Sequence, residues 1–213
     1  MVASTRRIGA ETSKTRAALL DATERLMLEE GYAAVSSRRV AAMAGVKPPL
    51  VHYYFPTMDA LFLALFRRGA EANLDRQTRA LTSRQPLRAL WKLANERERT
   101  ALTTEFMALG AHRPVIGAEI AAYADRFQAR QLEGLSSVLE GYGIDPESCP
   151  PVTVLLAMTG VSRLLVLEDC FGVTAGHAET LALVERLLRA VEGEADRTSP
   201  VANERRPRAS RGC

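Results

Sequence analysis

The stretch Ser36–Leu61, SSRRVAAMAGVKPPLVHYYFPTMDAL, decides how the chain is read. Ser36 suits a helix N-cap, Val40, Ala41 and Ala44 form the apolar side of a short helix, and Gly45 ends it. Three residues on come Pro48 and Pro49, unfavourable inside a helix but tolerated in its first turn, where the amides have no intrahelical partner. A second short helix over about 48–54 is therefore expected. Phe55-Pro56 closes it, and Thr57 is placed to cap a longer helix through Leu61 and Leu65 to about Ala80. A short helix, a glycine turn and another short helix make the geometry in which the second helix lies in a major groove and the first braces it across the phosphates.

Charge follows the same outline. A quarter of the chain is Asp, Glu, Lys or Arg, yet no Asp or Glu falls between Val35 and Met58, where the bases are Arg38, Arg39 and Lys47. Duplex DNA asks for cations, hydroxyls and helix starts at its phosphates, and for donors and flat apolar groups at its base edges. Helical spacing turns Val51 and Phe55, four apart, inward and leaves Lys47, Pro49, Leu50, Tyr53 and Tyr54 for the DNA side, with His52 at the border. Tyr53 and Tyr54 cannot both share the interior with Val51 and Phe55, so at least one is expected outside. Arg38 and Arg39 lie in the first turn of the preceding helix, within reach of the duplex backbone, and Ser36 or Ser37 offers a hydroxyl beside that helix start.

Outward from this core, residues 1–12 read as a flexible basic arm with Arg6 and Arg7. A first helix over about 13–30 carries Ala17, Leu20, Ala22, Leu26 and Met27 on one face, ends at Gly31, and turns its acids outward. Beyond Leu81, prolines separate helical runs at about 86–95, 98–110, 115–140, 151–170 and 177–192. No stretch alternates like a strand. Residues 194–213 lose apolar periodicity, gain Arg197, Arg205, Arg206, Arg208 and Arg211, and read as a disordered basic tail.

Other function classes find little support. A net charge of +3 is too mild to imply nucleic-acid binding without the local pattern above. Cys149, Cys170 and Cys213, odd in number and far apart, suggest reduced thiols rather than a disulfide framework or a zinc site. His112 and His177 have no second ligand at metal spacing, and Glu168-Asp169 beside Cys170 makes only a weak metal candidate, so neither metal nor cofactor is expected. No Gly-rich phosphate loop or nucleophile–base pair points to an enzyme. The N-terminus lacks a signal-peptide core, and Ser162-Arg163 interrupts the apolar run after Pro151 short of a membrane span; a cytoplasmic protein with no membrane partner is expected.

The order SSRRVAAMAGV (36–46), VHYYF (51–55) and DAL (59–61) resembles the tetracycline-repressor family of transcriptional regulators over roughly residues 13–65. The strongest part is the Ala-Gly-Val turn followed at fixed distance by an aromatic cluster ending in Phe55 and then a capped helix. The chain departs from the family at His52, usually Tyr, and at Met58, usually a Lys that contacts the DNA backbone; Thr57 and the amides at that helix start are left to serve. Pro48-Pro49-Leu50 replaces small polar residues, which implies an operator read with more methyl contact and fewer hydrogen bonds.

The resemblance implies an all-α fold in which a three-helix DNA-binding domain at 13–60 precedes a larger ligand-sensing and dimerising domain at 61–193. It implies a homodimeric repressor released from a palindromic operator on double-stranded DNA by a small molecule. The 151–170 segment is apolar around most of its circumference, and 177–192 has a stripe of Leu181, Val184, Leu187, Leu188 and Val191. Together they would supply half of a four-helix dimer interface. Trp91, Phe106, Met107, Tyr123, Phe127 and Met158 are candidates to line a pocket for a ligand of hydrophobic bias, against the blander reading of a packed core. The alternatives are a constitutive DNA-binding regulator without a ligand and an all-helical enzyme.

Overall fold

The computed structural model describes residues 14–195, whose regular elements are all helices, with no strand among them. The arm at 1–12, all but the first two residues of the 194–213 tail, and Cys213 lie outside the described residues. The helices are α1 (Lys14–Glu30), α2 (Ser37–Met43), α3 (Pro48–Tyr54), α4 (Met58–Leu81), α5 (Pro86–Ala94), α6 (Arg97–His112), α7 (Pro114–Gly141), α8 (Pro151–Cys170) and α9 (His177–Glu192). A three-residue 3-10 turn, Tyr32–Ala34, joins α1 to α2.

The helices pack as two compact units, and α4 and α7 each contribute to both. The first unit takes the described residues up to Ala72 together with Ala101–Ala124. Its core is built from Leu19, Leu26, Val40, Val51, Phe62 and Leu109, all at most 2% exposed. Gly31 stands at φ 81°, where L side chains are strained, and lets the chain leave α1 at once. The Tyr32 amide that follows donates to the Glu105 carboxylate of α6 at 2.6 Å, which fixes the turn leading into α2. At the α6–α7 corner a Cβ on Gly117 would stand 2.9 Å from the Gly110 carbonyl oxygen, so only glycine permits that approach.

The second unit takes Asn73–Thr100 and the described residues from Asp125 onward. Ala80, Leu87, Leu90, Leu135, Leu139, Leu155 and Leu188 form its core. Pro86 opens α5, and the next amides, Leu87 and Arg88, donate to the Glu192 carboxylate at 2.7 and 3.0 Å. A carboxylate there meets the positive end of the helix dipole and unpaired donors together. The Tyr142 hydroxyl donates to the same carboxylate at 3.0 Å. Arg88 pairs with Glu185 at 2.7 Å; this contact raises the guanidinium pKa and lowers that of the carboxyl.

The expectation that Ser162-Arg163 breaks the apolar run of α8 does not hold, since α8 is long and apolar enough to cross a membrane by length and composition. Ser162 is fully buried and donates to the Ala94 carbonyl, so its polarity is satisfied inside the unit. Arg163, the next residue, stands exposed.

Candidate nucleic-acid interface

Each part of the α2–turn–α3 geometry has a local cause. Ser36 is extended (φ −140°, ψ 157°), and its hydroxyl accepts from the Arg39 amide at 3.4 Å. Gly45, at φ 68°, reverses the chain, and the Val46 amide returns to the Ala41 carbonyl at 2.9 Å. Lys47 is extended, as a residue before proline must be, and Pro48 and Pro49 fill the first turn of α3 without wasting a donor. The Phe55 amide closes α3 on the Val51 carbonyl at 2.8 Å, Pro56 blocks continuation, and Thr57 Oγ1 accepts from the Ala60 amide at 3.0 Å to start α4.

Val40 and Ala41 of α2 meet Val51 and Phe55 in the core, with Arg16 lying over the Phe55 ring 5.1 Å from its centroid. The opposite side of the motif faces solvent. Ser36, Arg38, Lys47, Pro49, His52, Tyr53 and Thr57 are exposed, while Ser37, Leu50 and Tyr54 are half-buried. Ser37, Arg38, Pro48, Pro49, His52 and Tyr53 line an open cleft of about 540 Å³. Pro48, absent from the candidate DNA contacts, completes it.

The two tyrosines divide. Tyr53 is 46% exposed, whereas Tyr54 packs against the core and receives Tyr53 edge-on at 5.1 Å between centroids. The two arginines divide as well. Arg39 is tied to the Glu30 carboxylate and, at 3.4 Å, to the Ala34 carbonyl, so it holds α2 against the end of α1. Arg38, its neighbour, has no ion pair among the described residues. Met58 packs on the core, and Asp59 beside it pairs with Arg113.

The side that α2 and α3 present outward thus has unopposed cations, a hydroxyl and one free aromatic, without an acid between Val35 and Met58. Residues 19–65 match the family model described as bacterial regulatory proteins, tetR family. The match covers the helix-turn-helix and the start of α4, and over that stretch the chain resembles the family. Over 52 residues it is 40% identical to the HTH-type transcriptional regulator BetI of Rhizobium meliloti (strain 1021), a match spanning 24% of this chain and 26% of that protein. It therefore aligns with about a quarter of that relative's length.

Solved structures extend the likeness to the fold beyond this region. A candidate TetR-family transcriptional regulator from Rhodococcus sp. superposes with a TM-score of 0.66 at 17% identity, covering 84% of this chain and 100% of that one. The fatty acid degradation regulator FadR from Bacillus halodurans gives 0.64 at 17% identity, covering 86% and 97%. At such identities the likeness is one of fold: the all-α architecture with an N-terminal helix-turn-helix and a larger helical remainder is shared with these solved structures.

The six candidate pocket residues divide between the two units. Phe106 is buried in the first core, edge-on to Phe66, which also meets Tyr123; Met107, on the same helix, is 52% exposed. Trp91 and Met158 pack against the second core, and Phe127 belongs to that unit. The six do not form one lining within either unit. Spacing along α6 and α7 marks these residues as apolar but says nothing of the unit each joins. His177 lies between Glu168, at 2.8 Å, and Asp169, at 3.4 Å, and no group of three or more potential ligands is placed to hold a metal among the described residues.

Proposed function

We propose that the protein is a cytoplasmic transcriptional repressor that grips double-stranded operator DNA as a homodimer and lets go when a small molecule binds its second unit. The observation that carries the DNA reading is the acid-free, solvent-facing side of α2 and α3, with Arg38, Lys47, His52 and Tyr53 free to reach a duplex. In this reading α3 enters the major groove, Tyr53, Pro49 and Leu50 read base edges and thymine methyls, and Ser37, Arg38, Lys47 and Thr57 hold phosphates. Residues 13–60 are the DNA-binding domain proper, carried on the larger packing unit that reaches Ala72 and takes in Ala101–Ala124.

The homodimer rests on a separate observation. Leu156, Leu164 and Leu167 stand 47–62% exposed on α8, Phe171 just past its end is 73% exposed, and Leu183 and Leu187 of α9 are 47% and 59% exposed. Apolar side chains so exposed favour cover, and a second copy offers the same surface under two-fold symmetry. Two protomers then present two α3 helices to the two halves of a palindrome.

Fluorescence anisotropy of the full chain on duplexes from around its own coding region, with a scrambled duplex of equal length as control, tests this at two fixed salt concentrations. Salt-sensitive binding of two protomers to one native fragment, far tighter than to the control, is expected. Equal weak binding to native and scrambled DNA would refute operator recognition in those fragments and turn attention to the helical body.

A further inference from the structure

Helices of seven residues, as α2 and α3 are, cannot hold their own orientation, and take it from the core beneath them and from the turn that leads in. That turn begins at Gly31, whose φ of 81° carries the chain out of α1. Within it the Ala34 amide donates to the Gly31 carbonyl at 3.2 Å and the Val35 amide to the Tyr32 carbonyl at 3.1 Å. The Tyr32 amide, at the start of the turn, has left the bonding pattern of α1 and finds its acceptor on α6, 73 residues further along the chain.

The acceptor, Glu105, is half-buried, one residue before Phe106 and four before Leu109, which both join the core under α2 and α3. One oxygen of its carboxylate takes the Tyr32 amide at 2.6 Å, and a Cβ on Gly31 would come to 3.4 Å from that same oxygen. The carboxylate therefore lies close along the Gly31–Tyr32 peptide, and a bond to an ionised acceptor is about twice as strong as one between neutral groups. From α2, Arg39 reaches back to the Ala34 carbonyl at 3.4 Å and to Glu30, on either side of the turn. The turn is thus held at its first amide by α6 and at its last residue by α2, so the position of one is passed to the other.

We propose that Glu105 is a positioning residue for DNA recognition. From outside the helix-turn-helix it sets the angle at which α2 leaves the Tyr32–Ala34 turn, and with it the placement of Ser37 and Arg38 beside the phosphates and of α3 in the groove. It acts through the turn and makes no contact with DNA itself. By charge alone a carboxylate on this unit opposes DNA binding, so its effect through the Tyr32 amide and its effect through charge have opposite signs and can be separated. This role rests on the DNA reading above, while the hold on the turn stands on the bond from Tyr32 to Glu105.

The test uses the full chain, with E105A, E105D and E105Q. E105A removes charge and acceptor together, E105D keeps the charge but draws the carboxylate back by one methylene, and E105Q removes the charge and keeps an acceptor oxygen. R67A is the control, since Arg67 pairs with Glu119 at 2.9 Å between α4 and α7 of the same unit. The DNA probes are the duplex that the wild-type chain enriches from a random pool and its scrambled counterpart, compared by anisotropy; amide hydrogen exchange followed by NMR reads the turn directly. E105A and E105D should speed exchange at Tyr32, Ala34 and Val35 and lower the preference for the enriched duplex about tenfold, the scale of one charge-assisted bond lost. Affinity for the scrambled duplex should not fall, because every cation remains. E105Q should restore most of the preference, and R67A should keep it even where it melts lower. A preference untouched by E105A and E105D, an E105Q as impaired as E105A, or a loss as large in R67A overturns the positioning role. Should the wild-type chain enrich no sequence at all, DNA recognition itself fails and this role with it, whereas an enriched duplex to which the Glu105 variants are indifferent sinks Glu105 alone.

Discussion

Arg38 and Arg39 are adjacent, chemically identical and both exposed, yet the structure gives them different work. Arg39 is engaged by Glu30 and the Ala34 carbonyl, while Arg38 borders the cleft of α2 and α3 and is unpaired among the described residues. If Arg38 neutralises one phosphate per protomer, Arg38→Ala removes two contacts per dimer, and the slope of log affinity against log salt flattens by about 0.9 for each. Over a fourfold rise in salt one such contact is worth about 3.5-fold in affinity, and two about 12-fold. The wild-type complex should therefore weaken about 12-fold more than the Arg38→Ala complex across that range. Arg39→Ala should keep the wild-type slope and lower stability by less than about 1 kcal/mol, because its ion pair is solvent-exposed. Anisotropy titrations at four salt concentrations, with denaturant melts of both variants, make the comparison. Equal flattening by the two substitutions, or a larger effect of Arg39→Ala, would refute the division of labour.

Tyr53→Ala should lower the preference for operator over random duplex, and a measured loss equal on both DNAs would remove Tyr53 from base reading. Leu164→Glu combined with Leu187→Glu should turn a sedimenting dimer into a monomer, whereas a dimer that survives both charges would place the interface elsewhere. Gly117→Ala should destabilise the first unit by about 1–3 kcal/mol in urea melts, because its methyl meets the Gly110 carbonyl rather than a movable side chain. Burial and the bond to Glu192 push Tyr142 up to about 12, above its ordinary value near 10. A raised folded-state pKa means stability fully present below about pH 10 and lost as pH climbs through about 12. Tyr142→Phe should remove that part of the alkaline transition, and an identical alkaline melt in both proteins would contradict it.

The helices were legible because their punctuation is chemical. Gly31 and Gly45 adopt the positive φ that their places at helix ends require, Pro48 to Tyr54 forms α3 as the proline-opened pattern predicts, and Thr57 caps α4. The 3-10 turn at Tyr32–Ala34 was not foreseen, since its anchor is a long-range bond from Tyr32 to Glu105 that local sequence cannot announce. Spacing likewise groups Tyr54 with Tyr53 and Arg39 with Arg38; packing on the core and the acid at Glu30 separate them. The division of α4 and α7 between two units follows from which neighbours their ends meet, and no composition shift in the sequence marks it.

One signal in α4 was present in the sequence and is interpretable only with the burial known. Asn73, Arg76 and Gln77 read as an ordinary solvated stretch until Ala80, on the same stripe, proves buried and Gln131 reaches Gln77. A helix selected for packing alone would continue the series of Leu61 and Leu65 to its end, since apolar groups of similar volume stabilise a core at least as well as incompletely bonded polar ones. The retained polarity has either a reason other than stability or a hydrogen bond, Gln131 to Gln77, that outweighs apolar packing here. Gln131→Leu separates these explanations: a rise in the melting temperature shows that the amide is kept at the expense of the fold, and a fall shows that its bond to Gln77 holds α4 to α7.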